Sequence, residues 1–221
     1  MFDSVIIGKM DSAYDFDASM SEREISEPKK KSIKETVPFS NAIYDFTKIN
    51  GEIYWEERTL TYVFEIIADS PEELEDKKRT FKDWVMNVHE EELHDPYIKD
   101  YHFLATFSEI SCDDSEIEKS TITVVFTAYP YMISDAKRSF HFPLSTELTE
   151  RKVVNNSSHR IVPTFISDVA FTVQFGGISY SFPSGEVTHE PLKLDVGNNL
   201  LSFQTSSSTG TVKVEFNEEV F

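Results

Sequence analysis

The chain has 221 residues, 39% of them hydrophobic and 13% aromatic, with 21 basic against 39 acidic side chains and a net charge of −18. That length holds one large β domain or two smaller ones without help from metal or disulfides. The acidic balance excludes tight nucleic-acid binding, which needs clustered cations, and the single cysteine, Cys112, excludes an internal disulfide.

From the start of the chain, Met1 to Gly8 has no basic region and no long apolar run, so no secretory signal is expected. No apolar stretch approaches the roughly 20 residues of a membrane span, so a soluble protein made in the cytoplasm, without membrane insertion, is expected. Glu24 to Thr36, with Pro28 and Lys29-Lys30-Lys31, is too sparse in apolar residues for a core element and reads as an extended, exposed segment. Gly51 offers a turn before Ile53-Tyr54-Trp55, and Thr59 to Ile66 follows as a strand with Leu60, Tyr62, Phe64 and Ile66 on one face.

At Ser70-Pro71-Glu72-Glu73 the period changes. A capping serine, a proline at the first helical position and a glutamate three residues after the cap predict a helix over about 71–89. Leu74, Phe81, Trp84, Val85 and Val88 form its apolar stripe, and Lys77, Lys78, Arg79 and Lys82 are expected on its solvated faces. Tyr101 to Phe107 and Ser120 to Ala128 predict a hairpin around the acidic Ser111 to Glu116. Ile122, Val124, Phe126 and Ala128 point to the core, and Thr121, Thr123, Val125 and Thr127 to solvent or a partner.

This strand stops at Tyr129-Pro130-Tyr131, where proline ends the ladder. The corner predicts the close of a first domain, 1–134, followed by a crossover linker, 135–144, and a second domain, 145–221. The first 140 residues carry 16 basic against 30 acidic side chains, so most of the charge lies there. In the second part, the Asn-x-Ser matches at Asn155 and Asn156 read as polar loop. Val169, Phe171, Val173 and Phe175 alternate into Gly176-Gly177, and Ile178, Tyr180 and Phe182 alternate out, a hairpin signal because paired glycines accept positive φ. Leu192, Leu194, Leu200 to Phe203 and Thr211 to Phe216 complete a set of short strands without a helix, as in a small β-sandwich.

Catalytic signatures are missing from the sequence. There is no Gly-x-Ser-x-Gly, no phosphate-cradling glycine loop and no dinucleotide fingerprint. His89 and His94 flank Glu90-Glu91-Glu92-Leu93, but five residues of helix turn their side chains about 140° apart, so a helical zinc site is not expected. Cys112 reads as an inert, partly buried thiol. No catalytic residue, cofactor or metal ligand is assigned, and the chain is not expected to be an enzyme. Among the aromatic residues, Tyr44, Tyr54, Trp55 and Tyr97 stand next to loops or turns and are the candidates for contact with other proteins.

Val37 to Thr47, then Gly51-Glu52, then Glu57 to Phe64, resembles the opening of the distal tail proteins of long-tailed phages infecting Gram-positive bacteria. The helix from Leu74 to Val88, the Ser120 to Val124 run with its aromatic-Pro-Tyr corner, and Leu194-Asp195-Val196-Gly197-Asn198-Asn199 continue the pattern, so the resemblance covers nearly the whole chain. Two departures stand out. Pro38-Phe39-Ser40-Asn41 replaces a Pro-Gly-Arg-Asp-Gly turn common in that family, and the helix ends in Val88-His89-Glu90-Glu91, without the common His-Gly.

The resemblance implies a mainly β fold: an N-terminal β-sandwich with one α-helix, and a C-terminal sandwich like a galectin or carbohydrate module. It implies a homohexameric ring at the virion's tail tip, assembled in the host cytoplasm, that joins the tail tube protein to the tail-associated protein, with receptor-binding proteins as further partners. DNA would pass through the ring without specific binding. A closed ring needs two different patches per subunit. The candidates are 28–36 and 40–55 on one side, with Lys30, Lys31, Tyr44, Tyr54 and Trp55, against Thr121, Thr123 and Val125 on the other. The rival readings are a carbohydrate-binding protein acting through the second sandwich and, more remotely, a cell-wall hydrolase.

Overall fold

The computed structural model describes residues 3–36, 38–41, 43–48, 51–114 and 116–221. Ala42, Ile49 and Asn50 of the candidate segments, Val37 between them, Ser115 of the acidic loop and Met1 and Phe2 lie outside the described residues. The chain divides into two compact units, residues 1–132 together with Phe221, and residues 133–220.

The first unit runs β1 (Ile6–Ile7), β2 (Met10–Asp11), α1 (Ser12–Phe16), β3 (Ala18–Ile25), β4 (Lys34–Thr36), β5 (Ile43–Asp45), β6 (Arg58–Ile67), α2 (Pro71–Met86), β7 (Glu91–His94), β8 (Tyr101–Asp113) and β9 (Lys119–Ala128). Its strands pair antiparallel in the order β3-β6-β9-β8-β7-β1-β2, while β4 and β5 form a small sheet of their own. Alternation decides the faces: Leu60, Tyr62, Phe64 and Ile66 of β6, and Ile122, Val124 and Phe126 of β9, are completely buried. Beside them pack Val5, Ile7, Leu93, Phe103 and the inner side of α2.

Helix α2 begins as its sequence dictates. Ser70 Oγ accepts from Glu73 N at 3.2 Å, and Glu73 returns a carboxylate to Asp69 N at 3.1 Å, so two orphan amides are satisfied. Phe81 meets Phe64 edge-on at 5.1 Å between ring centroids, and Trp84 stacks on Phe16 of α1 at 4.3 Å. The helix stops at Met86, short of the expected 89, and β7 starts five residues later.

Lys78 overturns one expectation. It sits on the buried face at 3% exposure, its ammonium held 2.8 Å from both Glu75 and Asp114. Burial alone would lower its pKa, but the two carboxylates raise it on balance. The spacing to Leu74 and Phe81 already puts Lys78 on the apolar stripe, and what the helix sequence does not supply is the carboxylate arriving from the β8–β9 turn.

The corner after β9 is anchored from inside. Arg58, opposite Ala128 in the β6–β9 register, is buried and donates through Nη2 to Pro130 O at 2.5 Å, and Tyr129 N bonds Leu104 O at 2.9 Å. Burial pulls the Arg58 pKa down. Proline has no amide to continue the ladder, so the strand gives up pairing here and its carbonyl takes the guanidinium instead.

The second unit contains β10 (Met132–Leu144, from Ile133 on), β11 (Thr149–Asn155), β12 (Thr164–Ser167), β13 (Phe171–Phe175), β14 (Ile178–Phe182), β15 (Gly185–Thr188), β16 (Gly197–Thr205) and β17 (Gly210–Val220). The segment 135–144, expected as a crossover linker, therefore lies inside a strand of this unit. Its sparse, polar outer side chains hide the strand pattern, since most of them face solvent.

Two four-stranded sheets, β15-β12-β17-β10 and β11-β16-β13-β14, enclose a core of Phe165, Val212, Val214 and Phe216 from one side and Val153, Phe171, Val173, Leu201 and Phe203 from the other. Gly176 and Gly177 turn the β13–β14 hairpin at φ 58° and 80°, as the tight primed turn requires. The architecture is mainly β, with α2 as the one long helix among the described residues.

Asn155 is not polar loop. It is completely buried at the end of β11, where its amide donates to the carbonyls of His159 (3.1 Å), Leu194 (3.3 Å) and Asp195 (3.3 Å) and its oxygen accepts from Ser157 N (2.9 Å). Asn199, 2% exposed, braces the same turn by pairing with both the amide and the carbonyl of Asp195 at 2.8 Å.

Candidate functional site

The two segments singled out between residues 28 and 55 are limbs of one arm. It leaves the sheet as a continuation of the β3–β6 pair, with Ser26 N on Thr59 O at 2.9 Å and Thr59 N on Ser26 Oγ at 2.7 Å. The limbs stay paired through Glu56 N to Lys29 O (2.7 Å), Lys31 N to Tyr54 O (2.9 Å) and Phe46 N to Ile33 O (2.8 Å), and end in the β4–β5 hairpin. An antiparallel ribbon satisfies its amides across the pair, which is why this polar, lysine-rich stretch can be extended.

Every described residue of β4 and β5 is exposed. So are Ile33 (54%), Ile43 (62%), Tyr44 (59%) and Tyr54 (47%), and Phe39 at the tip reaches 109%. A two-stranded ribbon is marginally stable alone in water, and this one presents a row of large apolar side chains to solvent.

Lys30 and Trp55 face each other at the arm's root. They form an isolated bridge, with the Lys30 ammonium 5.6 Å from the indole centroid. Trp55 also meets Phe221 edge-on at 4.6 Å, and Phe221 meets Tyr131 at 4.8 Å. Trp55, expected as an anchor for another molecule, is thus half-buried within its own unit, a contact invisible in sequence because its partner lies 166 residues away. Lys31 is exposed beside it, and Tyr54 has its hydroxyl 3.5 Å from Glu52.

Thr121, Thr123 and Val125 lie elsewhere, on the outer face of β9, half-buried against neighbours on both sides. Opposite them stand Glu65, Val63 and Thr61 of β6, and Asp113, Ser111 and Glu109 of β8. The Lys119–Glu65 pair at 3.0 Å borders this face, and the hydrogen bond to Glu65 raises the Lys119 pKa. The structure brings Lys30, Lys31, Tyr44, Tyr54 and Trp55 together on one arm and keeps Thr121, Thr123 and Val125 on a separate surface.

Ile33, Ile43 and Phe46 lie inside the candidate segments without being singled out, and Phe39 lies outside them, because apolar side chains in a strand pattern are ordinarily core. In the second unit Phe171 and Phe182 are buried, and Phe175 and Tyr180 pack against the same core. No helix among the described residues is long and apolar enough to cross a membrane.

A mainly β chain of two units with an exposed apolar arm is the class of protein that fold and surface define. Neither a protein-family model nor a curated protein sequence matches it. Its fold is nevertheless that of a solved structure, the SPP1 Dit (gp 19.1) protein, described as a paradigm of the hub adsorption apparatus in phages infecting Gram-positive bacteria. The similarity covers 99% of each chain, with a TM-score of 0.70 at 12% identity. Two structures of the phage P2 baseplate in its activated conformation, with Ca and with Sr, align at 8% identity over 88% and 96% of this chain and 90% and 97% of theirs. Their TM-scores, 0.36 and 0.39, are too low to bear on the fold.

Proposed function

We propose that this chain is a structural protein of the virion, a distal tail or baseplate hub component of a long non-contractile phage tail, and not an enzyme. The observation that carries the reading is the whole-chain likeness to the SPP1 Dit hub protein. In this reading identical copies join head-to-tail into a ring of six at the tail tip, between the tail tube protein and the tail-associated protein, and receptor-binding proteins attach further out.

The arm supports the head-to-tail contact. Each large apolar side chain moved from water into an interface contributes about 1.5–3 kcal/mol, and the arm offers several. The outer face of β9, with Thr121, Thr123 and Val125, is the docking surface we assign to it. Two unlike patches are what a heterologous interface needs, and a rotation that closes gives a ring.

The acidic first unit suits a passage for DNA. A lumen of the same sign as phosphate neither traps nor retards a passing duplex, so an electropositive lumen in the assembled ring would contradict this part.

Light scattering on the purified chain tests the assembly. Six copies of a 25.4 kDa chain give about 150 kDa. A species that stays at single-chain mass up to about 100 μM, an affinity limit near 5.5 kcal/mol, would sink the self-closing ring.

A further inference from the structure

His89 and His94 fail as a helical pair because neither is on a helix. The chain from Glu91 to His94 is strand β7, so Glu92 and His94, two residues apart, share one face. The antiparallel register with β8 pairs Leu93 with Phe103 and Glu92 with Leu104, and its next step sets His94 opposite His102. The donor atoms of Glu92, His94 and His102 lie within 4.8 Å of one another. Glu92 Oε2 lies 3.9 Å from His94 Nε2, and the centroids of the two imidazole rings are 5.3 Å apart.

From this geometry we propose that Glu92, His94 and His102 form a binding site for a divalent transition-metal ion of the zinc type. Two imidazole nitrogens and one carboxylate are a donor set for Zn²⁺, Co²⁺ or Ni²⁺, whereas Ca²⁺ and Mg²⁺ want oxygen alone. Donors around a tetrahedral zinc stand about 3.3 Å apart, from bond lengths of about 2.0–2.1 Å. The three groups therefore close on an ion by side-chain rotation, without moving the strands.

Burial divides the labour. His102 is 7% exposed and packed into the sheet, so it is the anchor, while the His94 side chain at 33% and Glu92 at 62% exposure are accessible to an ion from solvent. Water fills the fourth position. The ion ties short β7 to the long β8 at the level where β7 also pairs with β1, through Ile6 opposite His94. The site stands on its own geometry and is independent of the tail-tip reading.

Calorimetric titration of the full, untagged chain with ZnCl₂, after chelator treatment and exchange, is the test. The expected result is one ion per chain with a Kd tighter than about 10 μM. His94→Ala should weaken binding at least about tenfold, and Glu92→Gln should weaken it measurably. Co²⁺ in place of Zn²⁺ should give visible absorption bands that His94→Ala abolishes, and millimolar CaCl₂ or MgCl₂ should not compete. Binding weaker than about 10 μM, or binding of equal strength in both folded variants, overturns the site. If His94→Ala does not fold, Glu92→Gln alone decides, because its side chain is exposed and its loss leaves the core intact.

Discussion

In the arm spanning residues 26–59, Ile33, Ile43 and Tyr44 face water on a ribbon two strands wide, whereas at the corner around Asn155 a polar side chain is completely sealed in and bonded through both its oxygen and its nitrogen. The same chain thus leaves apolar surface outside and takes polar groups inside, and each choice is costly unless something offsets it. At Asn155 the offset is already present, in four hydrogen bonds, two of which hold the Leu194–Asp195 turn against the end of β11. At the arm, under the proposed assembly, it would come from a neighbouring subunit. Folding accounts for the Asn155 corner, and the proposed assembly for the arm.

The largest expected effect breaks the arm. Ile43→Ser with Tyr44→Ser removes two exposed apolar side chains, so the fold should lose less than about 0.5 kcal/mol while self-association falls by about 100-fold or more. A matching lesion, Thr123→Lys on the outer face of β9, should also abolish the ring. Mixing the two variants then discriminates sharply, because each keeps the patch the other lacks. Head-to-tail docking predicts dimers of about 50 kDa, twice the 25.4 kDa chain, and no larger species. A ring recovered from the mixture would remove these surfaces from the interface.

Asn155→Ala comes next and acts on the other side of the comparison. It removes four hydrogen bonds at a buried corner, although Leu194 O keeps Ile161 N and Asp195 O keeps Asn199 Nδ2, so the second unit should lose about 1–3 kcal/mol. Thermal unfolding followed by circular dichroism measures it, and assembly of the folded fraction should be unchanged. A loss below about 0.5 kcal/mol would mean that the corner is held by packing and not by the asparagine.

The two regions were unequally legible in the sequence. Alternation over Thr59–Ile66 and Ser120–Ala128 and the Ser70-Pro71-x-Glu73 start carry strand and helix through local spacing alone, and the structure follows them along both strands and at the helix start, with the helix ending three residues early. Buried polar residues are different. Lys78 and Asn155 look like surface until carboxylates or carbonyls arrive from distant turns, at Asp114 and at Leu194–Asp195. The arm was visible as a stretch too polar for a core, but not the pairing of its limbs, nor the return of Phe221 onto Trp55. Glu92, His94 and His102 were hidden by the assumption of a helix, since only strand register brings them to one place.

A smaller effect is confined to acid. The hydrogen bond from Lys78, and after it the one from Ser120, holds the Asp114 carboxyl below its ordinary value of 3.8. A lowered folded pKa means the contribution is complete above the ordinary value and is lost as pH falls through the lowered one. Wild type should therefore exceed Asp114→Asn in stability at pH 6 and converge with it as pH falls through the lowered value. Half of the Asp114 side chain is exposed, so solvent screening keeps the difference under about 1 kcal/mol. A gap that persists unchanged at pH 2.5 would assign it to packing rather than charge.

The smallest expected effect on assembly, and the finest test of the comparison, is Phe39→Gly. Phe39 holds φ at 61°, a left-handed conformation that costs a bulky residue about 1–2 kcal/mol. Glycine removes that strain but brings a more flexible unfolded chain, worth about 0.5–1 kcal/mol in the opposite direction, so net stability should shift by less than about 1 kcal/mol. A side chain kept in a strained position and wholly in water contributes nothing to its own fold. If the tip inserts into a neighbouring subunit, Phe39→Gly should leave the melting curve in place and weaken the ring several-fold, read as a rise in the concentration at which the 150 kDa species dissociates, about six chains of 25.4 kDa. An unchanged ring would confine the contact to the limbs of the arm, at Ile33, Ile43 and Tyr44, and leave the tip outside it.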